Sequence, residues 1–219
     1  MKIFKILSNT FLLLAAMFLV YSYFNKKGIF NKGNSHNVNV LNIKNNQGSF
    51  DTSFNLINQE GVNVSSKDFA GKYMLVIFGF SSCNHICPAE LGLASELLSK
   101  LENNADKIQV IFITIDPERD TVERLKEYHQ GFDNRIQMLT GSKQDLDKVA
   151  KNYKVYVGGQ DSDKQIDHSS LLYLIDQNGN FLTHFAPDLK SSKNQTEKLF
   201  LLVKQYLTPQ EPNNQNTVS

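Results

Sequence analysis

Apolar residues in this chain fall into two patterns, short continuous runs and helical stripes, and the two alternate. Tyr73 to Phe80 (YMLVIFGF) and Ile108 to Ile115 (IQVIFITI) are brief apolar runs rich in β-branched and aromatic side chains. Such runs suit strands buried on both faces, as in a parallel sheet covered by helices. Between them, Leu91, Ala94, Ser95, Leu98 and Leu101 share one face of a helix running from Pro88 to Leu101. Pro88 suits its first turn, where the missing N–H would lack a helical partner in any case. Asp120 with Glu123 resembles a capping box opening a helix to about Gln130, which Gly131 can end. Ser142 with Asp145 opens another, to about Tyr153. Leu171 to Asp176 and Asn180 to Phe185 flank Gln177-Asn178-Gly179 and read as a hairpin turned at Asn-Gly. Ser192 with Gln195 caps a last helix to Tyr206, with Leu199, Leu202, Val203 and Tyr206 facing inward.

The order is a parallel βαβ unit, further helices, a β-hairpin and a closing helix. It predicts an α/β, thioredoxin-like fold: a mixed sheet with flanking helices and a β-hairpin, extended at its N-terminal side over Ser53 to Val64. Two end segments break the pattern. Phe11 to Val20 carries no polar side chain, and its flanks bring the apolar stretch near the ~20 residues that cross a bilayer. The stretch reads as an N-terminal membrane span kept as a signal-anchor, with cleavage as the alternative. Lys2 and Lys5 precede it while Lys26, Lys27 and Lys32 follow, so charge barely orients it. The expected organisation is a span at 1–24, a polar linker at 25–48, the thioredoxin-like domain at 49–207, and a disordered tail at 208–219. The charge balance (23 Lys+Arg against 22 Asp+Glu in 219 residues) excludes the general attraction on which nucleic-acid binding relies.

Fold class does not determine function, so the chemistry must come from particular residues. Both cysteines of the chain stand at the carboxyl end of the first core strand, in Gly79-Phe80-Ser81-Ser82-Cys83-Asn84-His85-Ile86-Cys87-Pro88. That end of an open α/β sheet is where ligands bind. A helical turn would place Cys83 and Cys87 on one face, roughly 5–6 Å apart at Cβ. A helix N-terminus favours the thiolate, which binds soft metals such as Cu(I) or attacks a disulfide. Three uses fit the spacing: a structural disulfide, redox exchange and metal binding. Of the five histidines, His36 lies in the linker, His129 near a helix end and His184 in a hairpin strand. His168 differs, because it precedes a strand whose entering loop lies beside the cysteine turn in a thioredoxin-like sheet. Asp167 beside it is placed to orient the imidazole. Two thiolates and one imidazole make a low-coordinate site suited to Cu(I), and able to hold Cu(II).

Phe78-Gly79-Phe80 leading into Cys83-x-x-x-Cys87-Pro88, then Thr114-Ile115-Asp116-Pro117-Glu118-Arg119-Asp120-Thr121, then Asp167-His168-Ser169, together resemble the SCO/SenC copper chaperones. The likeness covers about Phe50 to Tyr206 and the single N-terminal span. It implies a membrane-tethered domain binding one copper ion, Cu(I) or Cu(II), through Cys83, Cys87 and His168. It implies as partner cytochrome c oxidase subunit II, whose dinuclear copper centre such proteins help to mature as metal donor, thiol reductant, or both. An external thiol reductant is then a second partner. The implied location is the bacterial inner membrane with the domain in the periplasm, or the equivalent mitochondrial topology. Where the family commonly has Pro-Asp after the first cysteine, this chain has Asn84-His85. His85 thereby becomes an alternative ligand for Cu(II), or simply a solvent-facing residue. Asp116 either approaches the site or belongs to a turn leading into a helix. Outside this family, the cysteines also suit a metal-free thiol–disulfide oxidoreductase or peroxidase, or a scaffold with a permanent disulfide.

Overall fold

The structure, a computed structural model, describes residues 50–160, 165–188 and 194–208. The expected span at 1–24, the linker at 25–48 and the tail beyond residue 208 lie outside the described residues. Among the described residues, no helix is long and apolar enough to cross a membrane.

The two apolar runs form the centre of the sheet. Strands β3 (Tyr73–Gly79) and β4 (Ile108–Thr114) run parallel in register from Tyr73↔Ile108 to Gly79↔Thr114. The N-terminal extension is a hairpin of β1 (Asn55–Asn58) and β2 (Asn63–Ser65). β5 (Gln137–Thr140) lies parallel to β4 and joins that hairpin to it. On the other side, β8 (Leu172–Ile175) pairs antiparallel with β3 and turns at Asn178-Gly179 into β9 (Phe181–Phe185). The seven-stranded order is β2-β1-β5-β4-β3-β8-β9. Gly179 has φ +84°, a conformation available to glycine at little cost. A separate two-stranded ladder joins β6 (Val157–Gln160) to β7 (Ile166–His168).

Strand alternation sends side chains to two cores. Leu75 and Ile77 pack with Leu91, Leu98, Leu125, Leu199 and Val203, whereas Met74, Val76 and Phe78 pack with Leu146, Val149 and Tyr153. Helices α1 (Ile86–Leu101), α2 (Val122–His129) and α4 (Gln195–Leu207) therefore supply one face. Helix α3 (Lys143–Asn152) supplies the other.

Most elements match the sequence reading, with instructive differences. Helix α1 starts at Ile86, so Pro88 sits third rather than first; its absent N–H is still among the four without helical acceptors. Ser142 does cap α3, accepting from the Asp145 N–H at 3.1 Å. The cap of α2 is Thr121 rather than Asp120, with Thr121 Oγ1 accepting from the Arg124 N–H at 3.2 Å. Asp120 is fully buried and committed elsewhere. The residue before α4 is Asn194, at φ +68°, while Ser192 lies outside the described residues. Strand β5 and the β6–β7 ladder were not anticipated.

Candidate metal centre

The site begins where β3 runs into α1. A Cβ added to Gly79 would lie 2.6 Å from Cys87 Sγ and 2.8 Å from Phe112 Cε2, so the missing side chain is what lets α1 approach the sheet. The following turn is closed by the Cys83 N–H donating to the Phe80 carbonyl at 3.1 Å. Asp120 anchors its base. One carboxylate oxygen accepts from the Ser81 N–H at 2.9 Å and Thr114 Oγ1 at 2.6 Å, and the other from Ser81 Oγ at 2.5 Å. These bonds offset the cost of burying the carboxylate.

Cys83 precedes α1 rather than lying within it, and the Cys87 N–H donates to Cys83 Sγ at 3.4 Å. Both cysteines are free thiols, Cys87 buried and Cys83 half-buried. The Cys83 thiol is lowered to about 3, first by its hydrogen bond with Cys87, then against the opposing pull of burial by His168 and by the backbone N–H groups of Cys87 and His85. Cys87 is pushed up by the same hydrogen bond, by burial and by the charge on Cys83. The pair is thus a thiolate accepting a hydrogen bond from a thiol, and the outer sulfur is the ionised one.

His168 arrives as the last residue of β7, paired with Val157 on β6. Its Nε2 lies 3.5 Å from Cys87 Sγ, and the two sulfurs and a ring nitrogen all lie within 4.8 Å of one another. Among the described residues, this is the one cluster of three such donors. Nδ1 stands 3.0 Å from the Ser169 carbonyl. A carbonyl only accepts, so Nδ1 carries a proton and Nε2 is the ring nitrogen that faces the sulfurs, its lone pair available to a metal once any second ring proton is released. The orienting group is therefore the Ser169 backbone, and not Asp167, whose side chain is exposed. Ser169 is itself tied to the residue just before β6, its Oγ accepting from the Tyr156 N–H at 3.0 Å and its N–H donating to the Tyr156 carbonyl at 3.1 Å. The Phe80 ring meets the imidazole edge-on at 5.7 Å. Burial pulls the imidazole pKa down, but its hydrogen bonds to Cys83 and Ser169 and the Glu90 charge outweigh that and raise it.

The side chains of the other singled-out residues among those described are not part of this donor set. His85 is exposed just before α1, His184 is exposed on β9, His129 ends α2, and His36 lies outside the described residues. Asp116 accepts from Arg119 Nε and belongs to the turn after β4. Glu90 went unnoticed in the sequence. Fully buried one turn beyond Cys87, it accepts from Ser170 Oγ at 2.6 Å with Oε1, while Oε2 has no hydrogen-bond partner among the described residues. An acidic residue on the helix face otherwise lined by Leu91 and Ala94 was the available signal.

A soft, low-coordinate donor set at the carboxyl end of a central strand in a thioredoxin-like sheet defines a class of metal- and thiol-handling domain. The chain belongs to the SCO1/SenC family, whose model matches residues 43–204. It is similar to a SCO2-like protein of Rickettsia typhi, 40% identical over 146 residues, 64% of this chain and 72% of that one. The structure of Bradyrhizobium japonicum ScoI with copper bound aligns with TM-score 0.62 and 36% identity, covering 70% of this chain and 97% of that chain. A third relative, BsSco, is described as having a disulfide switch and as a member of the Sco family of cytochrome c oxidase assembly proteins. It aligns with TM-score 0.58 and 26% identity over 71% of this chain and 91% of that chain.

Proposed function

We propose that the chain binds one copper ion through Cys83 Sγ, Cys87 Sγ and His168 Nε2, and serves cytochrome c oxidase assembly with copper as its cargo. The target is the dinuclear copper centre of subunit II, which the domain loads, reduces, or both. One observation carries the reading: Nε2 of His168 faces the thiol pair because Nδ1 is committed to the Ser169 carbonyl. Two sulfurs and one imidazole match the preference of Cu(I) for soft, few-coordinate sites. Half-burial of Cys83 and His168 leaves room for a target's ligands to replace these donors one at a time.

A second use of the same sulfurs is supported by their unequal ionisation. The Cys83 thiolate attacks a target disulfide and forms a mixed disulfide, releasing one target thiolate. Cys87, giving up its proton, then displaces the second. The products are a reduced target and a Cys83–Cys87 disulfide, two electrons having passed outward. That disulfide cannot bind copper, so an external thiol reductant must reset it. The tethered organisation follows the same proposal: span 1–24, linker 25–48, domain 49–207, tail 208–219, with the domain on the periplasmic or intermembrane-space side of the membrane.

Anaerobic titration of the reduced chain with Cu(I) tests the reading. The expected stoichiometry is one copper per chain, with high-affinity uptake lost in Cys83→Ala, Cys87→Ala and His168→Ala alike. Uptake that ignores His168 would leave the thiol pair alone as the ligands, and disulfide turnover without any uptake would favour the oxidoreductase instead.

A further inference from the structure

Gln165, just ahead of β7, reaches across to the cysteine turn. Its Nε2 donates to the Ser82 carbonyl at 3.0 Å and its Oε1 accepts from the Asn84 N–H at 3.2 Å. These groups belong to the two peptide units on either side of Cys83. Peptide units are planar, so a residue's backbone has only two soft torsions, and they set the relative orientation of those units. Holding both planes on one rigid side-chain amide therefore restrains φ and ψ of Cys83 together. The same backbone, three residues on, presents His168. A single side chain thus links the segment bearing the outer sulfur to the segment bearing the imidazole, which are otherwise far apart in sequence. The contact also needs the Asn84 N–H: a proline there, as in the family pattern, has no N–H to donate.

We propose that Gln165 is a positioning residue that fixes the Cys83 turn against the His168 strand, with the backbone N–H of a non-proline residue at position 84 as its counterpart. The inference rests on the three-donor reading for its metal consequence, but the clamp itself is a property of the metal-free chain. Groups that orient metal ligands from outside typically change affinity 10–100-fold when removed. Gln165→Ala in the full chain is expected to weaken Cu(I) binding about tenfold in chelator competition. It should also shift the thiolate-to-Cu(II) absorption band, speed hydrogen exchange at the Asn84 amide, and leave the melting temperature nearly unchanged. Gln165→Glu, which keeps the acceptor for Asn84 but loses the donor to Ser82, should retain the slow exchange and lose part of the affinity. In an Asn84→Pro background, Gln165→Ala should cost clearly less than it does alone.

Wild-type affinity and an unmoved band in Gln165→Ala would overturn the proposal, as would an equal cost of Gln165→Ala with and without the Asn84→Pro change. If the wild-type chain takes up no copper, the copper reading falls, and exchange at Asn84 alone decides the clamp. Faster exchange in Gln165→Ala then sustains it, and unchanged exchange refutes it.

Discussion

Cys83 and Cys87 carry the same functional group in opposite states, and the difference comes from one hydrogen bond and from burial. With Cys83 lowered to about 3, its thiolate persists through mildly acidic solution. Alkylation by iodoacetamide should therefore modify Cys83 first, at a rate nearly flat from about pH 5 to pH 8, where an ordinary thiol with a pKa of about 8.5 would speed up several-hundred-fold. Cys87→Ala removes the largest cause of the lowering, so the Cys83 rate in that variant should regain a rise with pH. A flat profile in the variant would show that Cys87 is not the cause. Glu90 behaves in the reverse sense. Burial is the main reason its carboxyl is pushed up from 4.5 to about 7. The folded state thus holds a proton that the unfolded chain releases. The resulting stabilisation is complete below the unfolded value and is lost as pH rises through the folded one, a change on the order of 3 kcal/mol. Glu90→Gln cannot ionise, so urea denaturation should show the variant gaining on the wild type between pH 4.5 and pH 8. A difference independent of pH would contradict the assignment.

At the scale of elements, the sulfurs depend on how closely α1 lies against the end of β3. Gly79→Ala would drive a methyl into Cys87 Sγ and the Phe112 ring, both well inside contact distance. The helix must then move, and overpacking of this kind costs about 1–3 kcal/mol. The expected result is a lower denaturation midpoint together with weakened Cu(I) binding, since the displaced residue is a proposed ligand. A midpoint loss with full affinity would mean that the sheet yields instead of the helix. This junction also shows what could be read from the chain and what could not. β3, β4, α1, α3 and the Asn-Gly hairpin were legible because each repeats an apolar period over a turn or more, or carries a cap or turn residue. β5 contributes only Gln137-Met138-Leu139-Thr140, too short for a period to emerge. β6 and β7 are mostly polar or glycine, so no burial pattern marks them. Asp120 has the spacing to Glu123 of a helix cap, but its oxygens satisfy Ser81 and Thr114, contacts that exist only after folding. The three donors were visible as residue types. Their shared location followed only from the expected thioredoxin-like topology and from the resemblance, because no local rule brings His168 to the cysteine turn.

For the whole molecule, the consequence is that an ion held by these donors closes a circuit through most of the domain. Cys83 and Cys87 sit between β3 and α1, whereas His168 is 81 residues past Cys87 in the chain, on a ladder separate from the main sheet. Unfolding separates the imidazole from the sulfurs, so binding to the folded state must oppose unfolding by mass action. With free Cu(I) at 100 times the dissociation constant, the stabilisation is about 2.7 kcal/mol. For a domain of this size that corresponds to a rise in melting temperature of roughly 5–10 °C. The size should grow with the logarithm of free copper and reverse on adding a Cu(I) chelator. His168→Ala leaves two neighbouring cysteines whose spacing survives partly in the unfolded chain, so copper should raise its melting temperature far less. Calorimetry at buffered Cu(I) activity separates the cases. Equal shifts in wild type and His168→Ala would mean that the thiol pair alone holds the ion and that the imidazole, though adjacent, is a bystander.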